Sequence, residues 1–422
     1  MLLTRRQCST LTRAVIRADV LHCKWADGSS GRLHLPWLRD HCPQSLHPVS
    51  GQRTVEMKDI IERGLTPEKI AIEAEGSTLT LAWPAISSMR AATHTSIFDA
   101  KWLWKHCGDR HGGIKNHEHQ IANAREKTIP GRTEAVPWAP TDLTGSISPS
   151  CTWDELDGDG NGNKGESHAL ACLRDLRKHG FCVINKTPTT VDATAGIAER
   201  LGRLQPTLYG NGVWDTAPRI QEEVRDTAYS NVELPLHTDC TYLQHTPGVQ
   251  LFVCEEQAAA REGSPLDGAT RLADGFKVAE VLRRDHPATF AFFCRLAIPF
   301  VHAEGDVRME HLAPVFELHP DTSEVVSFRY NELDRATLGA TFSFDDIRDY
   351  YEHQAVLVSV ISSLEMSLRL ERGDAILVDN HRVLHGRHSF VGQRNMIGCY
   401  MTADDWKSRL RVLEEIECAE RM

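Results

Sequence analysis

The chain reads as mainly β, a sandwich or jelly roll with flanking helices, preceded by a small β-rich unit. Three observations predict this. Short apolar runs bounded by Gly, Pro and polar turns recur through the second half, as in GVQLFVC (248–254), EVVSFRYN (324–331) and GDAILVDN (373–380). Only a few helical stretches interrupt them, chiefly 275–286 and 344–366. Near the start, DVLHCKW (19–25) and GRLHLPWL (31–38) alternate around a DGSS turn, which is a hairpin pattern.

Taken in order, residues 1–18 are rich in Arg, Ser and Thr and hold no acid. That composition suits a mitochondrial presequence and equally a basic tail or first strand, and the cytoplasm is the preferred location. STLTLAWP (77–84) is a further strand, and SIFDAKWLWKHC (96–107) has helical spacing. The stretch 126–150, rich in Pro, Gly, Ser and Thr, marks a connection. The expected organisation is an N-terminal β-rich domain over 1–135, a linker with an acidic Gly-rich loop over 136–167, and a catalytic domain over 168–422. In that loop Asp157, Asp159, Asn161 and Gly162 have calcium-loop spacing. The twelfth position, however, is His168 where a bidentate Glu is needed, so a flexible acidic surface loop is expected. ALACLRDLRKHGFCVINK (169–186) then predicts a helix, a Gly stop and an apolar strand.

With 422 residues the chain exceeds one ordinary core. Its net charge of −11 argues against non-specific nucleic-acid binding, and no apolar run is long enough to span a membrane. Its twelve cysteines include no C-x-x-C pair and read as intracellular thiols. No Gly-rich phosphate loop follows a strand, so nucleotide-dependent chemistry finds little support.

LPLHTDCTYLQ (234–244) carries the first chemical signal. On a strand, His237 and Asp239 share a face, which suits a metal and also suits a simple His–Asp hydrogen bond at a strand end. Downstream, residues 373–400 run from a buried-looking strand into His381, His385 and His388, followed by Arg394. An H-x-D pair plus one distant His is the 2-His-1-carboxylate set that holds Fe(II) on three sites and leaves others open. Two open sites can chelate a 2-oxoacid and one can take dioxygen. A planar guanidinium such as Arg394 suits the far carboxylate of 2-oxoglutarate.

TAYSNVELPLHTDCTY, GVQLFVC, LADGF, FRYNELDRA and DNHRVLHGRHSFVGQRNMIGCYMTADD resemble the γ-butyrobetaine/trimethyllysine dioxygenase branch of the Fe(II)/2-oxoglutarate oxygenases. LPWLRDHC with HPVSGQR extends the resemblance to the N-terminal domain. It implies a distorted double-stranded β-helix, with His237, Asp239 and His385 as iron ligands and Arg394 binding the co-substrate. His385 is preferred to its neighbours because it alone sits in the family's LHGR context. The step from His385 to Arg394 and the GCY…DD pattern are closer to the trimethyllysine enzymes.

The resemblance also implies an aromatic cage for a trimethylammonium group, at Tyr209, Trp214, Tyr229 and Tyr400, although YGNGVW holds one residue more than the family pattern. Asp226 stands where trimethyllysine enzymes carry Asp and would pair with the α-ammonium, while Asn331 would bind the substrate carboxylate. The family's structural zinc is doubtful, since only Cys42, His94 and at best His47 match. Trimethyllysine 3-hydroxylation, a step of carnitine biosynthesis, is the best single expectation. Alternatives are an oxygenase that hydroxylates, desaturates or cyclises a smaller amino acid, and a metal-free binding or scaffold relative. The expected partners are a small-molecule substrate, 2-oxoglutarate and dioxygen, with a second copy of the chain, as a homodimer, an open alternative.

Overall fold

The computed structural model describes residues 10–46, 48, 53, 66–84, 94–107, 109–111, 133–143, 147–158, 163–210, 212–216, 230–338 and 342–421. Two compact units divide the chain, Met1–Arg125 and Glu126–Met422.

In the first unit, the strands Leu11–Arg17, Val20–Trp25, Ser30–His34 and Asp109–His111 form one antiparallel sheet. Lys69–Glu73, Thr78–Trp83 and His94–Asp99 form another. Alternation sends Leu21, Cys23, Trp25, Leu79, Leu81 and Trp83 into one core. Part of the basic N-terminal stretch is built into this fold, since Leu11 is buried and its strand pairs with Val20–Trp25. A leader cut after residue 18 would remove that edge strand. SIFD departs from the expected helix. Ser96 and Phe98 point inward while Ile97 and Asp99 face out, so the period of two prevails. The helix Ala100–His106 begins only after Asp99, whose carboxylate accepts from the Trp102 N–H at 2.7 Å.

The second unit is a jelly roll of the distorted double-stranded β-helix type. One sheet runs in the order Trp214–Asp215, Asn395–Met401, Val249–Glu256, Ala375–Asp379, Phe181–Asn185, Cys151–Thr152. The other runs Leu234–His237, Val383–Arg387, Thr270–Asp274, Met366–Leu368. Alternation sorts their side chains. Leu251, Val253, Leu377 and Cys399 pack under the helices Asn163–His179, Val191–Leu201 and Ala403–Glu420. Cys254, Ile376, Val378 and Met396 meet Leu272 and Val383 of the smaller sheet. Leu236, Ala273 and Leu384, on that sheet's outer face, are covered by Gly275–Asp285, Pro287–Arg295 and Phe344–Ser363.

The expected linker contributes to this unit rather than merely connecting to it. Trp138 is 1% exposed and packs edge-on to Phe181. Thr152 and Glu155 form a capping box that starts a short helix, Trp153–Asp157, where a flexible loop was expected. Asp159, Asn161 and Gly162 of the calcium-like spacing lie outside the described residues.

One buried ion pair ties several segments together. Arg382 and Asp274 are 1% and 0% exposed and meet through two hydrogen bonds of 3.0 and 2.8 Å. Arg382 also donates to the carbonyls of Arg177, Lys178 and Val136. Asp274 in turn accepts from the backbone N–H groups of Trp138 and Phe276. No helix among the described residues is long and apolar enough to cross a membrane.

Candidate active site

His237 and His385 are register partners on adjacent antiparallel strands, their ring centroids 4.6 Å apart. Gly386 permits that approach, because a Cβ there would stand 2.6 Å from the Leu234 carbonyl oxygen. Asp239 does not share the strand of His237, contrary to the simple i, i+2 expectation. The strand stops at His237, and Thr238 pairs instead with Tyr330, donating its N–H at 2.7 Å and accepting the Tyr330 N–H at 2.9 Å. Asp239 lies in the turn that follows and still reaches both imidazoles. Its Oδ1 is 3.2 Å from His237 Nε2 and its Oδ2 is 3.4 Å from His385 Nε2. All three ligand-type atoms lie within 4.8 Å of one another, the one such group among the described residues.

The electrostatics follow from this packing. Burial alone would favour a neutral His237 and a protonated Asp239. The hydrogen bond and charge of Asp239 override it at His237, which is held above its ordinary value, while the charge of His385 and then the hydrogen bond with His237 hold Asp239 well below. His385 is lowered, burial being the main cause. Both of its ring nitrogens are buried without a hydrogen-bond partner. An imidazole left unbonded beside a carboxylate and a second imidazole is the donor set that suits Fe(II). His237 Nδ1 lies 2.7 Å from the Pro235 carbonyl. An N–H donated there leaves Nε2 free to ligate.

Three of the four expected cage aromatics come together beside this group. The Tyr400 hydroxyl donates to Asp239 Oδ2 at 3.0 Å. Its ring centroid is 5.5 Å from that of Trp214 and 6.4 Å from that of Tyr209, and the latter two are 5.7 Å apart. Gly398 makes room for the indole, since a Cβ there would fall 2.8 Å from the Trp214 ring. Tyr229 and Asp226 lie outside the described residues. Asn331 is buried and follows Tyr330, the partner of Thr238. Its Oδ1 accepts the Leu333 N–H at 2.9 Å, as in an Asx turn.

Arg394 is 8% exposed and donates its Nε to the Gly268 carbonyl at 3.0 Å. No carboxylate among the described residues pairs with it, and burial lowers it to about 10, with Cys254 opposing. His381 and His388 stand apart, bonded to the hydroxyls of Thr246 and Ser367.

Other neighbours of the site were not foreseen. Gln250 donates to Asp239 Oδ2, and Asn380 binds the Asp239 backbone. Asp334 accepts from the Thr241 hydroxyl at 2.7 Å, and burial raises it to about 6. Gln250 had a readable signal as the one polar letter in GVQLFVC. The others become neighbours only through long-range pairing.

In the first unit Cys42 Sγ lies 3.1 Å from His94 Nε2 and 3.4 Å from Gln44 Oε1, while His47 lies outside the described residues. Burial lowers His94, and the Arg39 guanidinium pushes the same way. Among the described residues only these two donors stand together, beside a positive charge, short of the closed four-ligand set of a structural zinc.

Residues 141–400 match the model of the family described as Taurine catabolism dioxygenase TauD, TfdA family. The chain belongs to this family. Residues 14–108 match a second model, Gamma-butyrobetaine hydroxylase-like, N-terminal. The chain is similar to trimethyllysine dioxygenase of Meyerozyma guilliermondii, 29% identical over 410 residues that cover 94% of each chain. It is 28% identical over 406 residues to the mitochondrial trimethyllysine dioxygenase of Gallus gallus, covering 94% of this chain and 87% of that one. Gamma-butyrobetaine dioxygenase of Homo sapiens is 26% identical over 410 residues, covering 94% and 95%. As a member of the TauD, TfdA family, the chain is an Fe(II)- and 2-oxoglutarate-dependent dioxygenase.

Proposed function

We propose that this dioxygenase hydroxylates a free amino acid bearing a trimethylammonium group, trimethyllysine first among them. His237, Asp239 and His385 would hold the iron, and Arg394 the far carboxylate of 2-oxoglutarate. Bound iron with 2-oxoglutarate and dioxygen supplies the oxidation of an unactivated C–H bond. The protein's own part is to hold and orient. The observation that carries this reading is the aromatic trio Tyr209, Trp214 and Tyr400, joined to Asp239 through the Tyr400 hydroxyl. Ring faces suit a cation that has no N–H to donate. The names of the relatives in Meyerozyma guilliermondii and Gallus gallus point to the same substrate.

Asp226 would pair with the α-ammonium that γ-butyrobetaine lacks, and Asn331 would meet the carboxylate. Leaving such a partner unpaired costs about 1–3 kcal/mol. The test compares wild type with Asp226→Asn on trimethyllysine, small aliphatic amino acids and γ-butyrobetaine, by kcat/KM. Trimethyllysine is expected to lead, and Asp226→Asn to lose about tenfold or more of that activity. A wild-type preference for γ-butyrobetaine, or an Asp226→Asn enzyme with untouched amino-acid turnover, sinks the proposal.

Arg394 gives a second test. A buried guanidinium without a carboxylate partner is costly unless an anion arrives. Arg394→Lys exchanges a planar fork for a point charge, so the apparent KM for 2-oxoglutarate is expected to rise roughly tenfold or more. An unchanged KM refutes the assignment. For location, the cytoplasm stands against the mitochondrion, the compartment in the name of the Gallus gallus relative. A reporter fused at the C-terminus separates the two.

A further inference from the structure

Asn380 is 1% exposed and lies in the turn between the strands Ala375–Asp379 and Val383–Arg387, so it leads directly into the segment that carries His385. Its side chain is committed entirely to the opposite ligand segment. Oδ1 accepts the Asp239 N–H at 2.7 Å. Nδ2 donates to the Asp239 carbonyl at 3.1 Å and to the Pro247 carbonyl at 2.9 Å. Its backbone N–H donates to the Gly248 carbonyl at 3.0 Å. One residue therefore closes the loop 239–248 at both ends and fastens it to the His385 side.

That loop needs fastening. Cys240, directly after Asp239, has φ of +55°, a left-handed conformation that a residue with a Cβ adopts at a cost. Arg329 braces the middle of the loop, donating to the carbonyls of Thr241 and Leu243 at 2.6 Å each and of Gln244 at 3.3 Å. Left to itself, the turn would relax toward ordinary dihedrals and swing the Asp239 carboxylate.

We infer that Asn380 is a positioning residue, which fixes the separation of Asp239 from His385 and so sets the metal affinity of the site. The inference rests on the ligand set proposed above. A residue of this kind acts through the ligand it orients, and its loss is expected to weaken metal binding about 10–100-fold. A merely structural residue would lower the unfolding midpoint and leave the metal affinity of the folded protein unchanged.

The test titrates metal-free full-length protein with Mn(II) alone, following loss of the free-ion electron paramagnetic resonance signal. Near-ultraviolet circular dichroism of each sample checks that it is folded. Wild type, Asn380→Ala, Asn380→Ser and His385→Ala are compared. Asn380→Ser keeps a short polar group and guards against a failure of the Ala variant to fold. Both Asn380 variants are expected to bind Mn(II) about 10–100-fold more weakly while folded, Ser less affected than Ala. Wild-type affinity in a folded Asn380 variant overturns the inference and leaves the ligand set standing. Wild-type affinity in His385→Ala overturns the ligand set itself, and the inference with it.

Discussion

His385→Ala is expected to abolish turnover and to weaken Fe(II) binding by more than the roughly 10–100-fold that a ligand's outer partners control. The reason is geometric. His385 is the only ligand-type residue of its strand that faces His237, and its ring nitrogens have no hydrogen-bond partner to fall back on. Removing it leaves one imidazole and one carboxylate, which already satisfy each other as an ion pair 3.2 Å apart. His381→Ala and His388→Ala are the controls, because those rings are bonded to hydroxyls away from the cluster. Anaerobic titration with Fe(II) and 2-oxoglutarate, read by the visible charge-transfer band, distinguishes the three. Wild-type turnover in His385→Ala would show the triad to be wrongly drawn.

Arg382→Ala is expected to destabilise the second unit by about 3–5 kcal/mol, the usual consequence of breaking a buried pair from one side. Asp274, 0% exposed, would be left as an uncompensated charge, the carbonyls of Val136 and Arg177 would lose the Arg382 donor, and that of Lys178 would keep only the Val136 N–H. Asp274 keeps two backbone N–H partners, from Trp138 and Phe276, which lessens the penalty without cancelling it. Urea unfolding with a constant m-value is the measurement. A loss below about 1 kcal/mol would mean that water reaches Asp274, contrary to its burial.

The second unit was legible in the sequence where local pattern and tertiary packing agree. GVQLFVC and GDAILVDN became the paired central strands Val249–Glu256 and Ala375–Asp379, because an apolar run buried on both faces has few other solutions. SIFD was misjudged because its apolar letters fit both periods, and the choice was made by pairing with Thr78–Trp83. The helix at Trp153 carried its own announcement, the T-x-x-E of Thr152 and Glu155, masked by the glycines that follow. At the site, residue types and spacing pointed to His237 and Asp239 and left His381, His385 and His388 open, and the family resemblance singled out His385. Nothing local discloses Asn380 or Asp334, whose partners lie far away in the chain and are fixed only when the sheets assemble.

The same long separation bears on when the enzyme acquires its metal. Under the proposed ligand set, a nascent chain presents His237 and Asp239 well before His385 has been synthesised. At roughly 5–20 residues per second the interval is on the order of ten seconds. For that time the polypeptide holds two donors on an unclosed loop, since Asn380, which fastens it, is also still to come. Such a half-made site has little hold on any divalent ion. On that ligand set metal loading would wait for the completed fold, and the supply of Fe(II) to the finished protein, rather than its availability at the ribosome, would set the active fraction.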